Sequence, residues 1–576
     1  MNNVDIETII DQRNIIYGYP IPKESYCDQP YVVITDEGSW LCVLTTGTGH
    51  EGDSGQHIVS TISTDQGKTW SPLVDIEPST GPEASWVTPL RTPDGRIYVF
   101  YTYNKDNLRS VVAAGGISIS RVDSIGCFML KYSDDHGRTW SEQRYEVPIR
   151  EMDIDRENPY GGKVRFFWSV SKPLIHQNTV YIGLSKVGRF GKGFFERSEG
   201  VFMKSDNLLR ARDPADIRWE TLPEGDVGLR SPEGEIAEEH NLVALNDGSL
   251  YCTYRTVQGH NCHAYSRDGG RTWTPPQYAT YTPDGRRFKH PRAANFVRKF
   301  SNGNYLFWFH NHGGNDYPDR NPAWLCGGVE KDGYIYWSEP EIALYDDDPA
   351  VRMSYPDFIE ENGNYYVTET QKTIARVHKL DTAMLERMWN RPENGEIAKD
   401  GLVVRLSPEE CGVGSSHSMP GLADLSKGGG FTVEFWIRFR DLTPGQAILQ
   451  SDDDTGKGMN IMTTSHGSLK IILNDGRTEC SWDCDNGILG TGRWHHVAVI
   501  VDGGPKLITF VVDGRLCDGG EQRQFGFGRI HPAFKSINGP DRFTLAATMH
   551  GEIRKFQLYN RYLLMNEAVD NYKAGM

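Results

Sequence analysis

An eight-residue pattern recurs through the first half of the chain and constrains its architecture more than any local propensity. Ser63-Thr-Asp-Gln-Gly-Lys-Thr-Trp70, Ser133-Asp-Asp-His-Gly-Arg-Thr-Trp140 and Ser266-Arg-Asp-Gly-Gly-Arg-Thr-Trp273 share the form Ser-x-Asp-x-Gly-x-Thr-Trp, and repetition at fixed positions marks a repeated structural unit. The first two copies begin 70 residues apart and the last two 133, so a degenerate copy belongs midway. Ser205-Asp206 with Trp219 stands there, and Lys331-Asp332-Gly333 with Trp337 continues the pitch. The chemistry is that of a hairpin turn: Asp accepts hydrogen bonds from its own turn, Gly takes a positive φ, and Trp staples the turn to a neighbouring strand. Segments 96–103, 179–185, 249–255 and 305–310 read as short strands, separated by turns such as Pro93-Asp-Gly95 and Asn246-Asp-Gly248. Four strands per unit of about 65 to 70 residues make a propeller blade. Five turn copies, the strands of 354–380 and closure by N-terminal strands predict six blades ending near residue 395. No seventh is found.

Beyond Asn390-Arg-Pro-Glu-Asn-Gly395 the pattern changes. Segments 431–437, 494–501, 509–514 and 551–559 alternate apolar and polar residues without the blade pitch, as strands of a two-sheet sandwich do. The strings EFWIRF, GRWHHVAV and GEIRKFQLYNR resemble the strands of laminin-G or concanavalin-type jelly rolls. The expected fold class is therefore all-β, a six-bladed β-propeller over 1–395 followed by a jelly-roll β-sandwich over 396–576. The second domain reads either as a packing partner of the propeller or as a sugar-binding module. If the interface between the domains is modest, a chain ending near residue 395 should stay folded.

Composition narrows the function. With 38% hydrophobic and 11% aromatic residues, the chain has material for packed cores, which excludes disorder as its dominant state. A formal charge of −16 opposes a protein built to neutralise phosphate backbones, so nucleic acid is not the expected partner. No run approaches the ~20 apolar residues of a membrane helix, and MNNVDIETII has neither the basic start nor the apolar stretch of a leader. No membrane association is expected; the chain reads as cytoplasmic or as a mature secreted form. Its ten cysteines are scattered, with only Cys480 and Cys484 close together, and are read as thiols with no metal role.

Aspartate-box turns on a six-bladed propeller resemble the sialidase superfamily, and the added jelly roll resembles the trans-sialidase arrangement. The resemblance implies a Tyr nucleophile with a Glu partner, an Asp acid/base and arginines that grip a substrate carboxylate. The most specific local match is Glu239 through Arg255, in which a Glu opens a strand, Asp-Gly makes the hairpin and an Arg ends the return strand. That spacing puts Glu239 and Arg255 at one rim of the blade. Ser354-Tyr355-Pro-Asp-Phe resembles the nucleophile strand, which makes Tyr355 the candidate nucleophile. Arg320 occupies the place of a third arginine, with Arg292 as its rival. A phenol of pKa ≈ 10 needs a neighbouring carboxylate to draw off its proton, and Glu239 takes that role. The acid/base belongs in the loop before the first box, where Asp53 is the candidate and His50 and Glu51 are substitutes.

One position departs from the family. Where sialidases carry Arg-Ile-Pro on the first strand, this chain reads Asp28-Gln-Pro30, and a carboxylate there repels a substrate carboxylate unless another arginine, such as Arg13, restores the charge. His50, His240, His260, His263, His310 and His312 fall in segments assigned to the mouth. They suit hydrogen bonds to sugar hydroxyls, ordinary core packing or a metal pair at His310 and His312. No cofactor and no metal are assigned. The leading expectation is a glycan substrate and an exo-acting glycoside hydrolase that removes a terminal acidic sugar. The alternatives are a propeller lyase acting on uronates and a non-catalytic glycan-binding propeller.

Overall fold

The structure, a computed structural model, describes residues 10–575. Six sheets of four or five antiparallel strands follow one another up to residue 379, each beginning with its channel-lining strand. The inner strands are Tyr26–Ile34, Ala84–Arg91, Phe167–Trp168, Glu238–Ala244, Phe296–Lys299 and Ser354–Glu361. The sixth sheet is completed from the other end of the chain, because Tyr19–Ile21 pairs antiparallel with Ala375–Lys379. Radial repetition leaves each blade only a short outer edge, and the N-terminal strand supplies the last ladder that ring closure requires.

The three full boxes occupy the turn between the third and fourth strands of their blades and share one geometry. Asp65 accepts from the Thr69 backbone at 2.8 Å and from its hydroxyl at 2.6 Å; Asp135 with Thr139 (2.9 and 2.6 Å) and Asp268 with Thr272 (2.9 and 2.6 Å) repeat it. Gly67, Gly137 and Gly270 have φ of 81°, 86° and 89°, a region from which Cβ sterics bar most residues. Trp70 and Trp273 donate back to the box glycine's carbonyl, each at 3.1 Å, whereas Trp140 reaches Ser60 of the preceding blade at 3.0 Å.

After the helix Thr382–Trp389, the chain builds a sandwich of a seven-stranded and a six-stranded sheet. Phe435, Ile437, Ile461, Ile471, Val499 and Phe556 fill the layer between them. The condition of a modest interface is not met. The strand Leu507–Val512 is buried throughout, as is Trp494–Asp502 after its first residue, so the sheet face turned away from the sandwich core is covered as well. Ala498, Ile500 and Val511 of that face join Tyr251, Phe307 and Trp337 of the fourth and fifth blades in one apolar cluster. At roughly 1.5–3 kcal/mol for each large side chain withdrawn from water, this shared cluster ties the stability of the propeller to the second domain, and a chain cut near 395 is expected to lose stability. Polar anchors add direction: the buried Glu341 carboxylate of the fifth blade accepts from the Met565 and Asn566 amides at 3.0 and 2.8 Å, capping the helix Met565–Lys573 across the interface. Arg13 is also part of this interface, paired with Asp11 at 2.6 Å and Asp502 at 2.8 Å. It is therefore not the cation that answers Asp28.

Candidate functional site

Four inner strands break register near their N-terminal ends, between Asp28 and Tyr31, Ser85 and Thr88, Glu238 and Asn241, and Ser354 and Asp357. Each break holds a residue with positive φ: Gln29 (51°), Trp86 (62°), Glu239 (60°) and Tyr355 (46°). A bulge inserts one residue into the ladder and suspends strict alternation, so neighbouring residues such as Glu238 and Glu239 both serve the same end of the channel. Holding a non-glycine residue there costs about 1–3 kcal/mol, and within the six inner strands this strain falls at the four breaks alone.

Tyr355 and Glu239 meet as the sequence implied, the phenol donating to Glu239 Oε1 at 2.9 Å. Arg255 Nη1 lies 2.9 Å from the same oxygen, while Glu239 Oε2 is buried with no partner. Behind this pair, Arg255 Nε donates to Glu238 at 2.9 Å, and Glu238 also receives Arg292 Nη2 at 2.5 Å. Burial raises the Glu239 carboxyl above its ordinary range, opposed by Arg255 and reinforced by Glu238. Burial likewise lifts Glu238, but Arg292 and Arg255 outweigh it and hold it low. The two adjacent glutamates are thus driven apart, one poised to take a proton and the other fixed as an anion. Tyr355 is pushed well above the usual phenol range by burial and then by Glu239, so it keeps its proton at neutral pH.

A second string of alternating charge runs along the other side of Tyr355. The Lys372 ammonium lies 2.5 Å from Asp28 Oδ2 and 2.9 Å from Glu51 Oε2, and it sits 4.3 Å from the centre of the Tyr355 ring. Arg121 continues the string, 3.0 Å from Glu51 and 2.9 Å from Asp123. The cation facing Asp28 is therefore a lysine on a turn 344 residues away in sequence. Only the ring closure between first and last blades brings it there, and Gln371-Lys372 carries no motif. Glu238, Arg121, Trp86 and Phe194 were also missed. The Glu238-Glu239 doublet was visible, but strand alternation sends one of the two away from the mouth unless a bulge is known.

Arg320 differs from the other arginines here. It donates to the Tyr317 carbonyl (3.0 Å), the Ser354 hydroxyl (2.6 Å) and the Arg292 carbonyl (3.2 Å), and among the described residues it faces no carboxylate within ion-pair distance. Burial lowers its pKa, the mark of a cation desolvated without a counter-ion. Arg292 and Arg320, rivals in the sequence, are both present, one paired with Glu238 and one unpaired.

The remaining candidates are dispersed. Asp53 lies on the loop before the first box, its side chain 49% exposed, accepting from the His50 backbone at 2.8 Å; no contact among the described residues joins it to Tyr355. His50 is 94% exposed. His240 is buried away from the channel, stacked on Tyr254 with centroids 4.4 Å apart, and burial pushes it down to about 3. His310 packs parallel to His290 at 6.1 Å, and His312 turns to the Asp319 carbonyl at 2.8 Å. Among the described residues no three His, Cys, Asp or Glu side chains are grouped to hold a metal ion. Phe194 and Tyr317 roof the mouth. Phe194 lies 4.7 Å from both Arg121 and Arg292, Tyr317 lies 5.3 Å from Arg292, and their rings are 5.2 Å apart. Tyr355 is accordingly only 4% exposed.

Comparison with known proteins follows the same division of the chain. Among solved structures it is similar to a protein of unknown function from Dyadobacter fermentans (14% identity, 63% of this chain and 98% of that one, TM-score 0.46). It is similar to Trypanosoma rangeli sialidase (12% identity, 98% and 97%, TM-score 0.42) and to the intramolecular trans-sialidase from Ruminococcus gnavus (14% identity, 66% and 99%, TM-score 0.44). No curated protein matches the sequence. Residues 412–568 match the concanavalin A-like lectin/glucanases superfamily. Residues 41–367, more than half of the chain, match the BNR repeat-like domain, and the chain belongs to that family.

Proposed function

We propose that the chain is an exo-acting glycoside hydrolase that removes a terminal acidic sugar from glycans. The observation that carries this reading is the buried Tyr355–Glu239 hydrogen bond of 2.9 Å, set beside an arginine without a counter-ion. Tyr355 Oη attacks the anomeric carbon as its proton passes to Glu239, and the glycosidic bond breaks as an acid protonates the leaving oxygen. Water then attacks the anomeric carbon as the now-deprotonated acid takes its proton, the bond to Tyr355 Oη breaks, and Glu239 returns its proton to that oxygen. A neutral phenol suits an anionic sugar, because a carboxylate nucleophile would be repelled by it. Arg320 offers the unpaired cation for the acid group. Glu51 is held strongly ionised by Lys372 and Arg121 against its burial, which unsuits it to donate a proton; the half-exposed Asp53 on the same loop is the better acid. Asp28 is buried and engaged by Lys372, Tyr26 and the Gln29 amide, so it places a carboxylate where the resemblance implies a further cation, which favours an acidic sugar other than sialic acid.

The test is a panel of glycans ending in sialic, uronic and neutral sugars, read by released monosaccharide. Turnover is expected on an acidic terminus, and Tyr355→Phe should lose at least about 10³-fold in kcat with little change in Tm. A Phe variant that keeps its rate, or an unsaturated uronate product, overturns the assignment.

A further inference from the structure

The segment carrying Arg320 and Tyr317 leaves the fifth blade after Phe309 and returns at Ala323, and the second domain grips it at both ends. At the first end, His312 and Phe525 form an antiparallel bridge. There the Gly313 amide donates to the Gln524 carbonyl at 2.9 Å, Gln524 Nε2 lies 3.2 Å from His312 Nδ1, and the His312 and Phe525 rings are 4.9 Å apart. His312 then passes the contact inward through Nε2 to the Asp319 carbonyl at 2.8 Å, the residue before Arg320. At the other end, Arg529 donates to the Asn321 carbonyl at 2.5 Å, the residue after Arg320. The gripping segment is itself seated on the propeller, since Lys289 donates to the Gly520 and Arg523 carbonyls at 2.5 and 2.8 Å.

From this arrangement we infer that residues 518–529 of the sandwich are a positioning element of the candidate site, fixing the 311–322 loop and with it Arg320. The inference rests on the proposed role of Arg320 in holding the substrate's acid group. The loop needs such a support. Arg320 is a buried guanidinium without a counter-ion, and its desolvation favours any movement that returns it to water. Its own neighbours answer it only with a hydroxyl and two carbonyls. Tethers on Asn321 and, through His312, on Asp319 leave the intervening residue little freedom to swing outward. Precise placement also has kinetic weight, because a displacement of about 1 Å can cost 10²-fold in rate. The sandwich is thereby part of the machinery that selects the substrate, whether or not it binds sugar itself.

The experiment compares the intact chain with the Phe525→Ala/Arg529→Met double variant. A control, Arg13→Met, removes a buried ion pair elsewhere in the same interface. Amide exchange of the peptide spanning 311–322, measured without substrate, should quicken in the double variant and not in the control. With the acidic-terminus substrate, KM should rise about 10-fold with kcat changed less, and in an Arg320→Lys background the same double change should add little. Unchanged exchange overturns the tether. Faster exchange with unaltered KM, or a full additive loss on top of Arg320→Lys, overturns its reach to the site. A wild-type chain that turns over no glycan refutes the proposed function instead, and the exchange measurement still decides the tether.

Discussion

The same inner strands line both ends of the central channel, yet the two ends are built differently. At their N-terminal ends, Tyr355, Glu239, Arg255 and Arg320 are packed to near-complete burial under Phe194 and Tyr317. At the opposite ends lies an open cavity of about 720 Å³ whose lining includes Lys172, Arg298 and Glu360. Cations occur at both. At the open end Lys172 is settled on Asp357 at 2.7 Å and Lys299 on Asn246 at 2.7 Å, and the phenol beneath Lys299, Tyr305, donates to Glu330 on the outer side of its own blade. The distinction follows from the backbone: all four register breaks in the inner strands lie towards the closed end. Charge alone does not distinguish the two ends. A bulge that turns two successive side chains to one side, and holds them strained, gives a phenol and a carboxylate a common address.

The comparison can be broken by changing each end in turn. Among changes outside the Tyr355–Glu239 pair, the largest effect is expected from Lys372→Met, which leaves Asp28 and Glu51 facing each other without the ammonium between them. kcat/KM should fall about 10- to 100-fold, and an unaffected rate would show that the charge string beside Tyr355 plays no part. A smaller effect concerns pH. Because burial raises Glu239, the carboxylate needed as base appears only as pH climbs through a value above the ordinary glutamate figure of 4.5. The acid limb of kcat/KM against pH should therefore have its midpoint above 4.5, and a midpoint at or below that figure would remove Glu239 from the role. At the open end, Arg298→Ala should change kcat/KM by less than about twofold. A large loss there would mean that the closed end is not where the chemistry occurs.

Much of the architecture was legible because it depends on local chemistry repeated along the chain. The Asp65, Asp135 and Asp268 turns form from their own eight residues, so their spacing announced the blades. Glu239 and Arg255 could be paired because one hairpin joins them, and Tyr355 was reachable through the resemblance of its strand. Lys372 was not legible, since its partners Asp28 and Glu51 are neighbours only once the first and last blades meet. Arg13 shows the converse: a plausible arginine near the chain start that the fold assigns to Asp11 and Asp502. The histidines clustered along the sequence, but strand direction sends His240 and His310 into packing.

The C-terminal domain gives the same lesson in the apolar language. Its alternating strands were enough to imply a sandwich, because a two-residue period needs only one chain segment to be read. The expectation for segment 494–501 is alternation, but Val497–Val501 is a continuous apolar run, the pattern of a sheet covered on both faces. What covers it was decided only when Ala498, Ile500 and Val511 met Tyr251 and Trp337 of the propeller. The repeating turns, the strand periods and the pairing of Glu239 with Arg255 could be read directly along the chain, because each depends on residues close in sequence. Tertiary structure alone decided which arginine stays unpaired, which lysine answers Asp28 and which loop the second domain holds. Those outcomes are set by long-range closure and by the shared demand of distant groups to be buried with a partner.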